Sequence, residues 1–155
     1  MRKFIRGSLL IIMPVIILSI FSCAAGSCFE ETESYLKASF YYYSTSKLNT
    51  TDSLTIFGLN RDSILYNNEP NINPALIPLN ASTESSTFII IFNGISDTVE
   101  FRYSSYPHLI SKECGYTYYH HLDSVPIYTT HFIKELKIDN STISNLNVQN
   151  ISILF

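Results

Sequence analysis

Residues 87–92, Thr-Phe-Ile-Ile-Ile-Phe, form an apolar run bounded by polar turn residues, and no other stretch constrains the fold as tightly. The run is short for a buried helix and the right length for a central strand. Asn93-Gly94 follows, a dipeptide that tolerates the positive φ angles of a tight hairpin turn. The chain then alternates, with Val99, Phe101 and Tyr103 on one side and Thr98, Glu100, Arg102 and Ser104 on the other. That pattern predicts a strand with one core face and one wet face. Glu100 and Arg102, two apart on the wet face, read as a surface ion pair rather than a general acid with its partner.

Turn signals punctuate the rest of the chain. Lys37-Ala38-Ser39-Phe40-Tyr41-Tyr42-Tyr43 opens a domain with an aromatic strand, and Gly58-Leu59-Asn60-Arg61-Asp62 joins two strand patterns into a second hairpin. Pro70, Pro74 and Pro78 make 67–78 a loop with at most an edge strand at Leu76-Ile77. Residues 116–121, 132–138 and 151–155 complete the set. Phe132, Leu136 and Ile138 share a strand face there, although 130–137 also admits a helical turn or two. Eleven Tyr and ten Phe, with no Trp, favour strands. The expected fold is all-β, an antiparallel β-sandwich of roughly eight or nine short strands. A transmembrane barrel would need strands of about 9 to 11 residues, each with a lipid-facing band, and several segments are shorter.

The N-terminus reads as an export signal. Arg2, Lys3 and Arg6 precede an uncharged stretch over 9–21, too short as a helix to span a hydrocarbon core of roughly 30 Å. Ile20-Phe21-Ser22-Cys23 resembles the lipobox of bacterial lipoproteins, whose cysteine is acylated and becomes the first residue. Cys23 is preferred to Cys28 because it follows the apolar run directly; an ordinary signal cleaved near Ala25 is the alternative. The predicted organisation is a lipoprotein signal peptide at 1–22, a lipid-anchored linker at 23–34 and a β-sandwich domain at 35–155. Losing the leader leaves seven basic residues against thirteen acidic, a formal charge of −6. Such a balance argues against a nucleic-acid partner. With Cys23 acylated, Cys28 and Cys114 remain, and an even pair in an oxidising envelope predicts a disulfide.

Cys28, the aromatic run 37–43, Asp52-Ser53-Leu54-Thr55, Asp62-Ser63-Ile64-Leu65, Leu79, Asp97-Thr98-Val99, Pro107-His108, Glu113-Cys114-Gly115 and Ile153-Leu154-Phe155 occur in that order. The layout resembles a family of small exported proteins of Bacteroidota-type bacteria classed as a domain of unknown function. The resemblance implies a predominantly β lipoprotein and carries over no catalytic residue.

Candidate chemistry is sparse. His108, Glu113, Cys114, His120, His121 and His131 are close in sequence, but adjacent His120 and His121 point to opposite faces of a strand, and no HxH or CxxC accompanies them. No metal or other cofactor is therefore expected. GxSxG, SxxK, HExxH and Gly-rich phosphate loops are missing from the sequence, so an enzyme is not expected either. Tyr41, Tyr42, Tyr43, Tyr116, Tyr118 and Tyr119 exceed what one core face can hold, and amphipathic rings favour binding surfaces. Asp-Ser/Thr-apolar tripeptides at Ser53, Ser63, Thr98 and Ser124 resemble a periplasmic O-glycosylation pattern, and equally a turn followed by a strand. The functional expectation is a non-catalytic binding or accessory module, lipid-anchored in the outer membrane and facing the periplasm. Its partner would be another envelope protein such as an outer-membrane β-barrel, or, as a surface adhesin, a glycan.

Overall fold

Asn93 and Gly94 have φ angles of 48° and 82°, and the hairpin they close is the centre of the molecule. The computed structural model describes residues 27–49 and 53–155; the leader, Cys23 and Asp52 lie outside them. Eleven strands are formed: β1 (Tyr35–Tyr41), β2 (Leu54–Gly58), β3 (Ile64–Glu69), β4 (Ala75–Pro78), β5 (Ser85–Phe92), β6 (Ile95–Ser111), β7 (Gly115–Leu122), β8 (Ile127–Tyr128), β9 (Glu135–Ile138), β10 (Thr142–Ile143) and β11 (Ile151–Leu154). One sheet has the order β4-β1-β11-β9, and the other, strongly curled, has the order β10-β7-β6-β5-β2-β3 with β8 beside β6.

The all-β fold with two sheets agrees with the sequence, and three details correct it. The count exceeds eight or nine because β8 and β10 are two-residue strands, and β6, at 17 residues, is not short. The sandwich is not wholly antiparallel, since β1 and β11 pair in parallel, Ala38 with Ile151 and Phe40 with Ile153. Only strands joined by a short turn are obliged to run antiparallel, and these two are joined by the whole domain. Phe132 does not continue the strand of Leu136 and Ile138; it lies in the loop before β9, buried against Phe92 and Phe155, and no helix forms there.

Both sheets feed one core. Leu36, Ala38 and Phe40 of β1 and Ile151 and Ile153 of β11 meet Ile56 of β2, Phe88, Ile90 and Phe92 of β5, and Val99, Phe101 and Tyr103 of β6. The other face of β1 is buried too, and there it is polar. Tyr41 Oη donates to Gln149 Oε1 at 2.9 Å, and Lys37 Nζ donates to the Leu146 carbonyl at 2.9 Å. Burial pushes the Lys37 ammonium below its ordinary pKa. Asn150 is 2% exposed and fixes the covering loop, accepting from the Lys37 N–H and donating to the carbonyls of Asn140 and Thr142.

Asp97 shares the core face of Val99 and Phe101, and its carboxylate is fully covered. Oδ1 accepts from Thr129 Oγ1 at 2.6 Å and from the His131 N–H at 2.8 Å, with His131 Nδ1 also at 2.8 Å; Oδ2 accepts from the N–H groups of Phe132 and Ile133. Those backbone donors are spent on the carboxylate, which is why 131–133 joins no ladder. Burial pushes the Asp97 pKa up, but the hydrogen bonds from Ile133, Thr129, His131 and Phe132 outweigh it and bring the value down to about 2.

Two predictions follow from this packing. Because the folded pKa of Asp97 lies below its unfolded value, the stabilisation is complete above pH ~4 and is lost as pH falls towards about 2, a change of roughly 2 kcal/mol. Asp97→Asn should cost about 2 to 4 kcal/mol in urea denaturation at neutral pH, since its amide group faces donors, and should flatten that acid limb. An unchanged midpoint would show that 129–133 is held by something else. Cys28 and Cys114 are joined with a sequence separation of 86, for which chain entropy gives about 4 to 5 kcal/mol. Cys114→Ser should lower the melting temperature by the equivalent of roughly 2 to 5 kcal/mol. Free thiols at both positions in non-reducing peptide maps would refute the pairing.

Candidate functional site

β6 changes partners along its length. Ile95 to Arg102 pair with β5, whereas Tyr103 to Ser111 pair only with β7. From the Tyr106–Tyr119 pair outward, past the pairing of β10 with His120 and His121, the sheet thus narrows to a two-stranded arm whose faces both meet solvent. On the face continuing that of Tyr103 and Leu122, Ser105 stands opposite His120, Pro107 opposite Tyr118 and Leu109 opposite Tyr116. Tyr116 is 74% exposed, and Leu109 and Tyr118 are exposed as well. The opposite face is a ring ladder: His108 stacks on Tyr119 with centroids 4.1 Å apart, and Tyr106 meets Tyr119 edge-on at 6.1 Å.

Three ties hold residues 28–34 along the outer side of this arm. The Cys28–Cys114 disulfide, with Cα atoms 4.7 Å apart, closes on the turn at the apex. Asn145 Nδ2 donates to the Glu31 carbonyl at 2.8 Å while its Oδ1 accepts from Tyr119 Oη, and Ser34 Oγ donates to the Tyr118 carbonyl. That outward carbonyl makes Tyr118–Pro107 a non-hydrogen-bonded pair, so the missing N–H of Pro107 faces the open edge of β6. At the apex, Ser111 Oγ accepts from the Cys114 N–H at 3.0 Å and Gly115 takes φ 75°, a value that a side chain would oppose.

The structure divides the tyrosines expected to form one binding surface. Tyr116, Tyr118 and Tyr119 lie on the arm, with Tyr119 on the face opposite the other two. Tyr41 is half-buried and tied to Gln149. β1 ends there, so Tyr42 and Tyr43 do not continue its alternation. Tyr42 packs on Phe155, which packs on Phe92 beside the Asn93-Gly94 turn. This is the end of β6 opposite the apex.

The histidines stand apart. His120 is buried with Nδ1 at 2.8 Å from Ser105 Oγ, and burial lowers its pKa; His121 points out, and His131 belongs to Asp97. Among the described residues no three His, Cys, Asp or Glu side chains gather at metal-binding distance. Of the tripeptide hydroxyls, Ser63 and Ser124 are exposed, while Ser53 is half-buried beside Asn68 and Thr98 is half-buried inside β6. Glu100 and Arg102 do form a surface ion pair, at 2.9 Å.

A groove of about 510 Å³ lies between the β2–β3 turn and residues 78–88. Its walls carry Arg61, Asn80 and the hydroxyls of Ser63, Thr83, Ser85 and Ser86, and its lining residues include no Asp, Glu, His, Cys or Lys. Hydrogen bonding to a polar ligand is within its chemistry.

Sequence reasoning missed Tyr106, His108, Leu109 and Phe29 as members of the exposed aromatic and apolar surface. The signal was present for the first three, since the alternation of 98–104 runs on to 109 if Pro107 is allowed at an open edge. No curated protein and no solved structure matches the chain. A family model does match, over residues 53–155, and the chain belongs to that family, described as Family of unknown function (DUF6452).

Proposed function

We propose that the protein is a non-catalytic binding module of the cell envelope, held by acylated Cys23 to the outer membrane on its periplasmic side, and that the β6–β7 arm captures another envelope protein. The observation that carries this reading is the arm itself. A two-stranded ribbon stripped of a third strand exposes Tyr106 and Tyr118, and a covalent tie at its apex keeps them ordered before a partner arrives. Aromatic side chains with little freedom left to lose are favoured contact residues. A partner in the same membrane, such as an outer-membrane β-barrel, is within reach of an arm tied this close to Cys23. A glycan is the second reading, supported by Tyr116 and Tyr118, two residues apart on one side of the arm with open ring faces. Exposed Ser63 and Ser124 are the positions where O-glycosylation would be sought first.

The anchor is tested by mass spectrometry of the mature N-terminus, which should show acyl chains on Cys23, and by Cys23→Ala, which should release the protein in soluble form. Capture is tested by crosslinking pull-down from intact envelopes. Tyr106→Ala and Tyr118→Ala should each weaken recovery of a protein partner by about 1 to 2 kcal/mol; Tyr118→Ala should leave the unfolding midpoint nearly unchanged, whereas Tyr106→Ala should also lose about 0.5 to 1.5 kcal/mol of stability with its ring contact to Tyr119. Tyr43→Ala, at the far end of β6, should have no effect. Recovery of glycan alone would replace the first reading with the second, and full capture by both arm variants would remove the arm as the site.

A further inference from the structure

The two most exposed large apolar side chains among the described residues are Phe29 at 90% and Tyr116 at 74%, and both flank the same disulfide. Phe29 follows Cys28 directly, and Tyr116 lies two residues after Cys114. Leu109, the cross-strand partner of Tyr116, adds a third apolar group at that end of the arm. All three stand open to water toward the disulfide-bonded end of the arm.

The chain between Cys23 and this cluster is short. Four residues separate Cys23 from Cys28, and the five steps of chain span at most about 18 Å, whereas the twelve steps from Cys23 to the start of β1 at Tyr35 would allow about 43 Å. The disulfide, the first of the three ties, therefore shortens the slack between an anchor at Cys23 and the folded domain, and it does so by fastening the apex of the arm. We propose that Phe29, Leu109 and Tyr116 sit in the lipid–water interface of the membrane that holds the anchor. The apex is then a second, non-covalent membrane contact, and the protein stands on its arm with the Tyr42–Tyr43 end pointing away. This rests on the reading of Cys23 as the anchor. Aromatic rings with one apolar body and one polar edge partition to that interface, and a short tether raises the local concentration of the surface they meet. Glu30, Glu31 and Glu113 outnumber Lys112 around the apex, so the attraction comes from the rings, and the contact persists at high salt.

The chain contains no tryptophan, so Tyr116→Trp installs a single reporter at a position open enough to accept it, and Phe29→Trp is an independent second. The full lipidated protein is reconstituted into vesicles of phosphatidylethanolamine and phosphatidylglycerol, with and without bromine on the acyl chains near the headgroup. Either apex reporter should emit blue-shifted light that brominated lipid quenches, unchanged by salt. Tyr43→Trp should emit as in water, and adding Cys28→Ser with Cys114→Ser should reduce the quenching at position 116. Water-like emission from both apex reporters on vesicle-bound, acylated protein overturns the contact and leaves the anchor standing. Equal quenching at position 43 overturns the orientation. A Cys23 without acyl mass overturns the anchor and the contact together.

Discussion

Past Tyr103, whose N–H still donates to the Glu84 carbonyl, β6 has no neighbour on one side, and the character of the molecule follows from that loss. A strand within a sheet shares its hydrogen bonds with two neighbours and hides one face in the core. A two-stranded ribbon is marginal in water by itself, so the arm must be stabilised from outside. The ring ladder of Tyr106, His108 and Tyr119 contributes on the order of 0.5 to 1.5 kcal/mol per pair, and the polar ties to Asn145 and Ser34 about 1 kcal/mol each. The disulfide, at about 4 to 5 kcal/mol by chain entropy, is the largest single term. Order in the arm therefore depends on conditions that keep this disulfide oxidised.

Buried polar groups do for the loops what the disulfide does for the arm. Asp97 collects the donors of 129–133, and Asn150 clamps 140–142 against β1. The hydroxyl of fully buried Tyr103 sits among the Asn80 backbone, Thr83 Oγ1 and Ser86 Oγ, at 2.7 to 3.2 Å. Among the described residues, no buried side-chain polar atom lacks a partner. Each such bond contributes little net stability, but an alternative loop arrangement would leave the same atoms unpaired in the core, at about 1 to 3 kcal/mol apiece. Their effect is to specify one arrangement, more than to add stability to it.

What the chain discloses in advance divides along the range of the interaction. Local patterns were legible: 87–92, the Asn93-Gly94 turn, the alternation of 98–104 and the edge strand at Leu76-Ile77 all form as their period and turn chemistry require. The parallel pairing of β1 with β11 was not, because no local signal marks strands at opposite ends of a domain. Asp97 was half legible. It falls on the same alternation face as Val99 and Phe101, a carboxylate aimed at the core, yet as part of Asp97-Thr98-Val99 it reads as a surface turn. Phe132 was misplaced for a linked reason, since only the partner carboxylate explains why its backbone leaves the ladder. In the candidate site, Tyr116, Tyr118 and Tyr119 were visible as a surplus of rings. Tyr42 and Tyr43 belonged to the same surplus, but they are used at the other end, where the chain turns back on Phe155.

Charge and aromaticity divide the work of orienting such a molecule. Residues 23–155 carry seven basic against thirteen acidic side chains, so on the proposed reading their surface is repelled by anionic headgroups over roughly a Debye length, about 8 Å at physiological salt. On the proposed reading, acyl chains and apex rings act within that distance while the remainder of the domain is pushed off. Repulsion everywhere and attraction at one short-tethered end amount to a torque, which favours a molecule standing over one lying flat. The ring ladder and Tyr118 are then carried just above the headgroups, where a protein embedded in the same membrane presents its own rim. An arm that needs a covalent tie to be ordered, and a tie that also shortens the tether, thus serve one geometry.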